Sequence, residues 1–187
     1  YIFHAILTMT ALYMVAGLVE KTTGQTDSRR MGGLYAANAP VSILFLVLVL
    51  ASAGVPPFLG FWPKLLLLEA GLAQGVTNAT PGWVGAAMVI ALMVNAVLTL
   101  IAGTRLWAHV FWRSGPEGSG SEHGKVDLIP FDGRGRLALG VTSVLVAGIV
   151  VAGLWPGPLL DGASTGAADI ADPSRYIQAT GLAGEAP

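Results

Sequence analysis

Five long apolar segments, at residues 1–19, 34–55, 58–75, 83–112 and 137–155, occupy most of this chain and push nearly all of its charges into the stretches between them. A helix needs about 20 apolar residues to cross the hydrocarbon core of a bilayer. A backbone facing lipid must also satisfy its own hydrogen bonds, which makes helix the expected state of each segment. The first, second and fifth segments have the length of one crossing. The fourth, at 30 residues, is long enough to tilt or to project into water. The fold class expected is therefore all-α, a polytopic helical membrane protein. Residues 1–155 form its membrane part and residues 156–187 a polar tail, either a surface helix or loose coil, with 164–176 open to both.

Composition agrees. Charged residues make up 11% of the chain, against about 25% in soluble domains, which must cover themselves with groups that water solvates. Net charge is −1 and no dense Lys/Arg cluster occurs, so nucleic acid is not an expected partner. With no cysteine there are no disulfides, thiolate metal sites or cysteine nucleophiles. No phosphate loop, nucleophile elbow, metal-ligand cluster or dinucleotide fingerprint is present, and no cofactor is expected. The chain opens at Tyr1, already inside an apolar run and without a basic n-region. The expectation is a C-terminal fragment of a longer protein.

Segments two and three meet at Pro56-Pro57, where neither residue can donate a backbone hydrogen bond and each restricts the one before it. They can be counted as two crossings or as two halves of one discontinuous helix. Two crossings put the basic loop at Lys21, Arg29 and Arg30 and the hydrophilic stretch 113–136 on opposite sides of the membrane. One broken helix puts them on the same side, with the uncharged 76–82 turn and the acidic tail (Asp161, Asp169, Asp172, Glu185 against Arg175) on the other. Basic short loops stay cytoplasmic, so charge favours the broken helix. Length argues the other way, since the pair covers more than 40 residues. The broken helix is the reading adopted.

Ionisable groups at membrane depth cost roughly 2.5–3.5 kcal/mol each on insertion scales and mark ion pathways by default. Those inside apolar segments are His4, Lys64, Glu69, Arg105 and His109, with Asn95 as an uncharged polar case. Lys64 leads, because it follows the break at Pro56, Pro57 and Gly60, and Pro63 suits the first position of a helix. That places Lys64 near the positive end of a half-helix, where burial and dipole both disfavour its charged form, as a proton relay requires. The alternative is a lysine snorkelling to the headgroups. His4 can shuttle protons or be a packed, hydrogen-bonded histidine. Glu69 lies about 140° around the helix from Lys64 and is either its partner or a surface group. Arg105 and His109 share a face and read as an interfacial anchor with Trp107, Phe111 and Trp112. Asn95 can bridge helices or line a polar path. The sequon at Asn78 is a chance match. Small residues at Gly85-Ala86-Ala87 and from Gly148 to Gly153 are candidate packing faces.

Four stretches carry a family resemblance. They are Tyr1-Ile2-Phe3-His4 through Gly17, the basic–Met–Gly–Gly–Leu run Arg29 to Leu34, the stretch Ala53-Gly54-Val55-Pro56-Pro57-Phe58-Leu59-Gly60-Phe61-Trp62-Pro63-Lys64, and Arg105-Leu106-Trp107 with Phe111-Trp112. The third is the most specific, being similar to the "aGiPP…GFwgK" break of a discontinuous helix. Together they resemble the D-type subunits of Mrp-type Na⁺/H⁺ antiporters, within the family shared with the antiporter-like subunits of NADH:quinone oxidoreductase. The resemblance covers all but the tail. It implies a fourteen-helix fold with inverted repeats, of which this chain holds the last four, and a central chain of protonatable residues to which Lys64 and His4 belong. It also implies a multi-pass subunit of an antiporter complex in the bacterial inner membrane, with lipid, protons and Na⁺ as partners.

Two positions depart from the family pattern. Met9 stands where a lysine is common and cannot titrate, so a relay through this helix would use water or the Thr8 and Thr10 hydroxyls. Pro63 replaces the usual small residue before the lysine. Two rival roles follow: a proton-pumping subunit of a NADH:quinone oxidoreductase or membrane hydrogenase, and a non-transporting assembly paralogue.

Overall fold

A computed structural model of the chain describes residues 1–74, 82–113, 129–172, 174, 177 and 180. The 76–81 turn with its sequon, most of the 113–136 stretch, and Arg175 and Glu185 of the tail lie outside the described residues. All regular elements among the described residues are helical. They are α1 (Ile2–Thr23), a 3₁₀ turn (Ser28–Arg30), α2 (Leu34–Ala37), α3 (Ala39–Ala53), α4 (Phe61–Gln74), α5 (Gly82–Trp107) continued by a π turn (Ala108–Trp112), α6 (Gly133–Leu154) and α7 (Gly157–Ala171). The chain divides into two compact units, Tyr1–Leu154 and Trp155–Pro187. The second holds α7, which has no buried residue and which starts earlier in the tail than the 164–176 window.

Among the described residues, three helices are long and apolar enough to cross a membrane: Ile2–Thr23, Trp83–Trp112 and Gly133–Leu154, with mean hydropathies of 1.9, 2.4 and 2.4. Each inner face is a helical stripe. On α1 the buried residues His4, Thr8, Ala11, Val15 and Leu18 recur every three to four positions, the spacing that stacks side chains on one face. They face α3 and α6. Leu34, Val41, Leu48, Phe111 and Ile149 complete the buried core. Inside a bilayer, close packing rather than transfer from water holds helices together. A methyl group at Gly103 would overlap Val49, so the missing side chain lets α5 lie directly on α3. Of the glycine faces expected from sequence, Gly85 meets α4 near Gly71 and Gly153 meets the break, whereas Gly148 has nothing within 4 Å.

The helix count follows from which ends touch. Lys21 at the end of α1 pairs with Asp132 just before α6 at 2.5 Å, and the Ile129 amide donates to the Thr22 carbonyl at 2.9 Å. Arg113, just past α5, donates to the carbonyl of Arg29 at 3.2 Å. The two basic loops therefore sit at one end of the bundle. From that end, α3 and α4 run in sequence along the length of α5. Ser42 meets Trp107, Val49 meets Gly103, and Gly71 meets Val89 and Gly85. Numbering rises on one side as it falls on the other, the register of a single antiparallel neighbour. At 1.5 Å per residue, α3 and α4 are about 22 and 21 Å long, each short of the about 30 Å hydrocarbon core. Together they have the run of one discontinuous helix, which with the three long helices makes four candidate crossings among the described residues. The second apolar segment is long without adding a crossing because its first residues form the short α2, separated from α3 at Asn38.

Candidate functional site

The break is built by a glycine and closed by a lysine. Gly54 follows α3 with φ +87°, a left-handed conformation that costs other residues about 1–2 kcal/mol. Its amide donates to the carbonyls of Leu50 at 3.1 Å and Ala51 at 3.2 Å, and the Val55 amide donates back to Leu50 at 3.1 Å. This is the Schellman ending, and it satisfies two of the four carbonyls that every helix C-terminus leaves open. The Pro56–Pro57 peptide is cis, and the exposed pair leads over Phe58 and Leu59 to Gly60.

Lys64 satisfies the other two carbonyls. Its Nζ donates to Ser52 and to Ala53, both at 2.7 Å, with the residue 7% exposed. The side chain thus folds back from the first turn of α4 onto the end of α3. The sequence expectation put this ammonium under the positive end of α4. Lys64 does stand in the first turn of α4, and its Nζ also reaches the negative end of α3, where helix carbonyls favour a cation. The helix also starts earlier than expected, at Phe61, so Pro63 is third rather than first. All three positions have amides without intrahelical partners, and the proline fits for the same reason. Snorkelling to the surface is replaced by burial with both carbonyls as partners.

His4 lies against the other side of the break and is 6% exposed. A methyl group built at Gly60 would fall 2.7 Å from His4 Cε1 and 2.8 Å from Nε2, and would overlap the Ala51 carbonyl oxygen. One built at Gly54 would fall 2.7 Å from Lys64 Cδ and 3.3 Å from Nζ. The two glycines are the gaps into which histidine and lysine fit, from opposite ends of the turn between α3 and α4. The ring edge of Tyr1 stands 6.3 Å from His4, centroid to centroid, and the Thr8 hydroxyl lies 3.2 Å from Nδ1. Trp62 anchors the assembly by donating from Nε1 to the Gly153 carbonyl of α6 at 2.7 Å. Gly153 in turn packs on the backbone of Pro57, Phe58 and Leu59.

The remaining candidates are not brought to this site. Glu69 is exposed and has no hydrogen-bond or ion partner among the described residues. Asn95 is exposed on the outer side of α5. Arg105 is exposed at the basic end, and His109 there accepts from Arg113 Nη1 at 3.2 Å. Around them Trp107 donates to the Ser42 hydroxyl at 2.9 Å and stacks near Trp112, while Phe111 meets Phe45. A cavity of about 280 Å³ at this end is lined by Val19, Glu20, Met31, Phe45 and Leu106, and touches neither Lys64 nor His4. Met9 is 57% exposed, on the opposite face of α1 from His4. The residues missed in sequence are the carbonyl partners Ser52 and Ala53, the anchor Trp62, and the tie between Thr8 and His4. The last had a signal in its spacing of four.

A helix interrupted at a Schellman glycine, with a lysine closing its carbonyls and a histidine against the gap, sits in a bundle whose long helices have the length and composition of membrane spans. Residues 1–99 match the model of the "NADH:quinone oxidoreductase/Mrp antiporter, TM" family, and the chain belongs to that family. It is 28% identical over 178 residues to the D-type Na⁺/H⁺ antiporter subunit of Alkalihalophilus pseudofirmus, covering 95% of this chain and 32% of that protein. It is 31% identical to the A1-type Na⁺/H⁺ antiporter subunit of Staphylococcus aureus over 84% of this chain and 19% of the relative. A chain in the solved structure of the Mrp complex from a Dietzia species superposes with a TM-score of 0.73 at 26% identity, over 94% of this chain and 38% of that one. The chain thus spans about a third of the length of the Alkalihalophilus relative.

Proposed function

We propose that this chain is part of an ion-translocating subunit of a multi-subunit monovalent cation/proton antiporter, with Lys64 as the central proton relay and His4 as an accessory one. The observation that carries the reading is the position of Lys64 Nζ, 2.7 Å from two carbonyls at the end of α3. An ammonium held there is an ion at a helix break, the arrangement in which transporters set coupling ions. Giving up its proton removes the charge from both hydrogen bonds, so protonation and the closure of the break are linked. His4, across Gly60, is the next group on this path that can take or supply a proton. The relatives named as Na⁺/H⁺ antiporter subunits favour antiport over respiratory pumping.

The surrounding assignments follow. The end bearing Lys21, Arg29, Arg30, Arg113, Arg134 and Arg136 faces the cytoplasm of a bacterial cell, because basic short loops are retained there. The outward sides of α1 and α5 meet lipid or the other subunits of the complex. The test is Lys64→Ala in the complete antiporter, reconstituted in vesicles, with proton and Na⁺ flux measured. Flux falls at least about tenfold if Lys64 relays, and flux at the wild-type rate ends the assignment.

A further inference from the structure

Among the described residues, four threonines are buried: Thr8, Thr22, Thr23 and Thr142. Three of them do what threonines in helices ordinarily do, donating to the carbonyl four residues back. Thr22 reaches Leu18, Thr23 reaches Val19 and Thr142 reaches Ala138, each at 2.8 Å. Thr8 is the exception. Its hydroxyl has His4 Nδ1 as partner, at 3.2 Å, in place of the His4 carbonyl. Both side chains are buried, and their spacing of four stacks them on one face of α1.

That contact divides the two nitrogens of the imidazole. Nδ1 is turned along α1 to Thr8, and Nε2 is turned to the break, where the space left by Gly60 brings it close. Which nitrogen carries the proton of a neutral histidine is set by the hydrogen bond that the other one makes. A hydroxyl can accept from an N–H. The groups that face the ring are the Lys64 ammonium across the break and the Tyr1 ring on its own helix, and neither approaches Nδ1 within hydrogen-bond distance.

We propose that Thr8 is a positioning residue that accepts from His4 Nδ1–H, and so keeps Nε2 at the break as the nitrogen that takes up and gives off the relayed proton. The inference rests on the relay reading of His4 and Lys64. A proton arriving from the Lys64 side adds to the Nε2 lone pair, giving an imidazolium that holds both N–H groups. Loss of the Nε2 proton restores the neutral ring with Nδ1–H still on Thr8. No proton needs to leave Nδ1 in either direction. Without the hydroxyl, Nδ1 has no acceptor, the neutral ring shifts its proton to Nε2, and the lone pair that faces the break is lost.

The experiment uses the complete antiporter with His4→Ala, Thr8→Val and Thr8→Ser, each measured for proton flux in vesicles and by ¹⁵N NMR of the histidine tautomer. Valine keeps the volume of Thr8 and removes its hydroxyl. Serine keeps the hydroxyl and removes a methyl group. The expected result is an Nδ1–H tautomer in the wild type, a shift to Nε2–H with about tenfold lower flux in Thr8→Val, and restoration of both in Thr8→Ser. If His4→Ala lowers flux while Thr8→Val keeps the wild-type tautomer and rate, the role of Thr8 is overturned and the relay stands. If His4→Ala transports at the wild-type rate, the relay reading of His4 itself fails.

Discussion

Lys64 Nζ lies 2.7 Å from the carbonyl oxygen of Ala53, the last residue of the half-helix that precedes it. With the matching bond to Ser52, it makes the lysine the cap of α3 as well as a member of α4. One side chain therefore joins the two halves of the broken helix, and its charge is part of the joint.

Replacing Lys64 by Met keeps the length of the stem and removes the donor. The buried Ala53 carbonyl and the part-buried Ser52 carbonyl then lose their partner, at about 1–3 kcal/mol each where no water enters. Thermal unfolding of the purified protein is expected to shift down by several degrees. An unchanged Tm would mean that the cap contributes nothing to the fold.

The glycines rank by what surrounds them. Gly60→Ala drives a methyl group into the Ala51 carbonyl and the His4 ring, and Gly54→Ala meets Lys64 at a left-handed φ of +87°. Gly17→Ala, with nothing within 4 Å on the outer side of α1, is expected to be neutral or to stabilise by up to about 1 kcal/mol. Folded yield and Tm should fall in the order Gly17→Ala, Gly54→Ala, Gly60→Ala. Equal behaviour of the first and last would contradict the packing described.

Trp62→Phe keeps a ring at the break and removes the donor to Gly153. Loss of one hydrogen bond costs about 1 kcal/mol, and hydrogen exchange at residues 61–64 should quicken relative to α1. No change in exchange would show that the break is held without this anchor.

Outside the membrane helices, Asp132 is held below the ordinary aspartate range by the Lys21 hydrogen bond first and by the Gly135 amide second. A carboxylate depressed in the folded state stabilises above its unfolded pKa, and that contribution is lost as pH falls through the folded value. Tm of the wild type should therefore fall on acidification relative to Asp132→Asn, with the two converging at low pH. The pair is solvent-exposed, so the difference should be small and shrink with salt. A difference that persists at low pH would sink this account.

Much of the fold was legible in the sequence because membrane crossings and breaks leave coarse marks. The prolines at 56 and 57 stopped a helix, and basic residues in two separate loops argued for a single crossing before contacts between those loops were known. Lys64 was singled out by its rarity at membrane depth. The carbonyls that its Nζ reaches at the end of α3 had no mark, because sequence spacing names the helix a residue belongs to and not the helix end its side chain reaches. The tie of Thr8 to His4 was hidden for a similar reason: spacing permits the contact, but the choice between backbone carbonyl and imidazole is made by packing around the ring. Glu69 was open as a partner of Lys64 or a surface group, and Asn95 as a bridge between helices or a polar lining; helix rotation leaves both exposed. The π turn at Ala108–Trp112 had no sequence mark that we can identify.

The central claim gives Lys64 two tasks, closing the break as a cation and passing a proton, and Lys64→Arg separates them. Arginine keeps its charge at any working pH and can donate to the Ser52 and Ala53 carbonyls, but it does not release a proton. Proton flux through the complete antiporter carrying Lys64→Arg, in vesicles with folding checked by Tm, is the direct measurement. The account predicts a folded protein whose flux is lower by at least about tenfold. A folded Lys64→Arg protein that transports at the wild-type rate would contradict it.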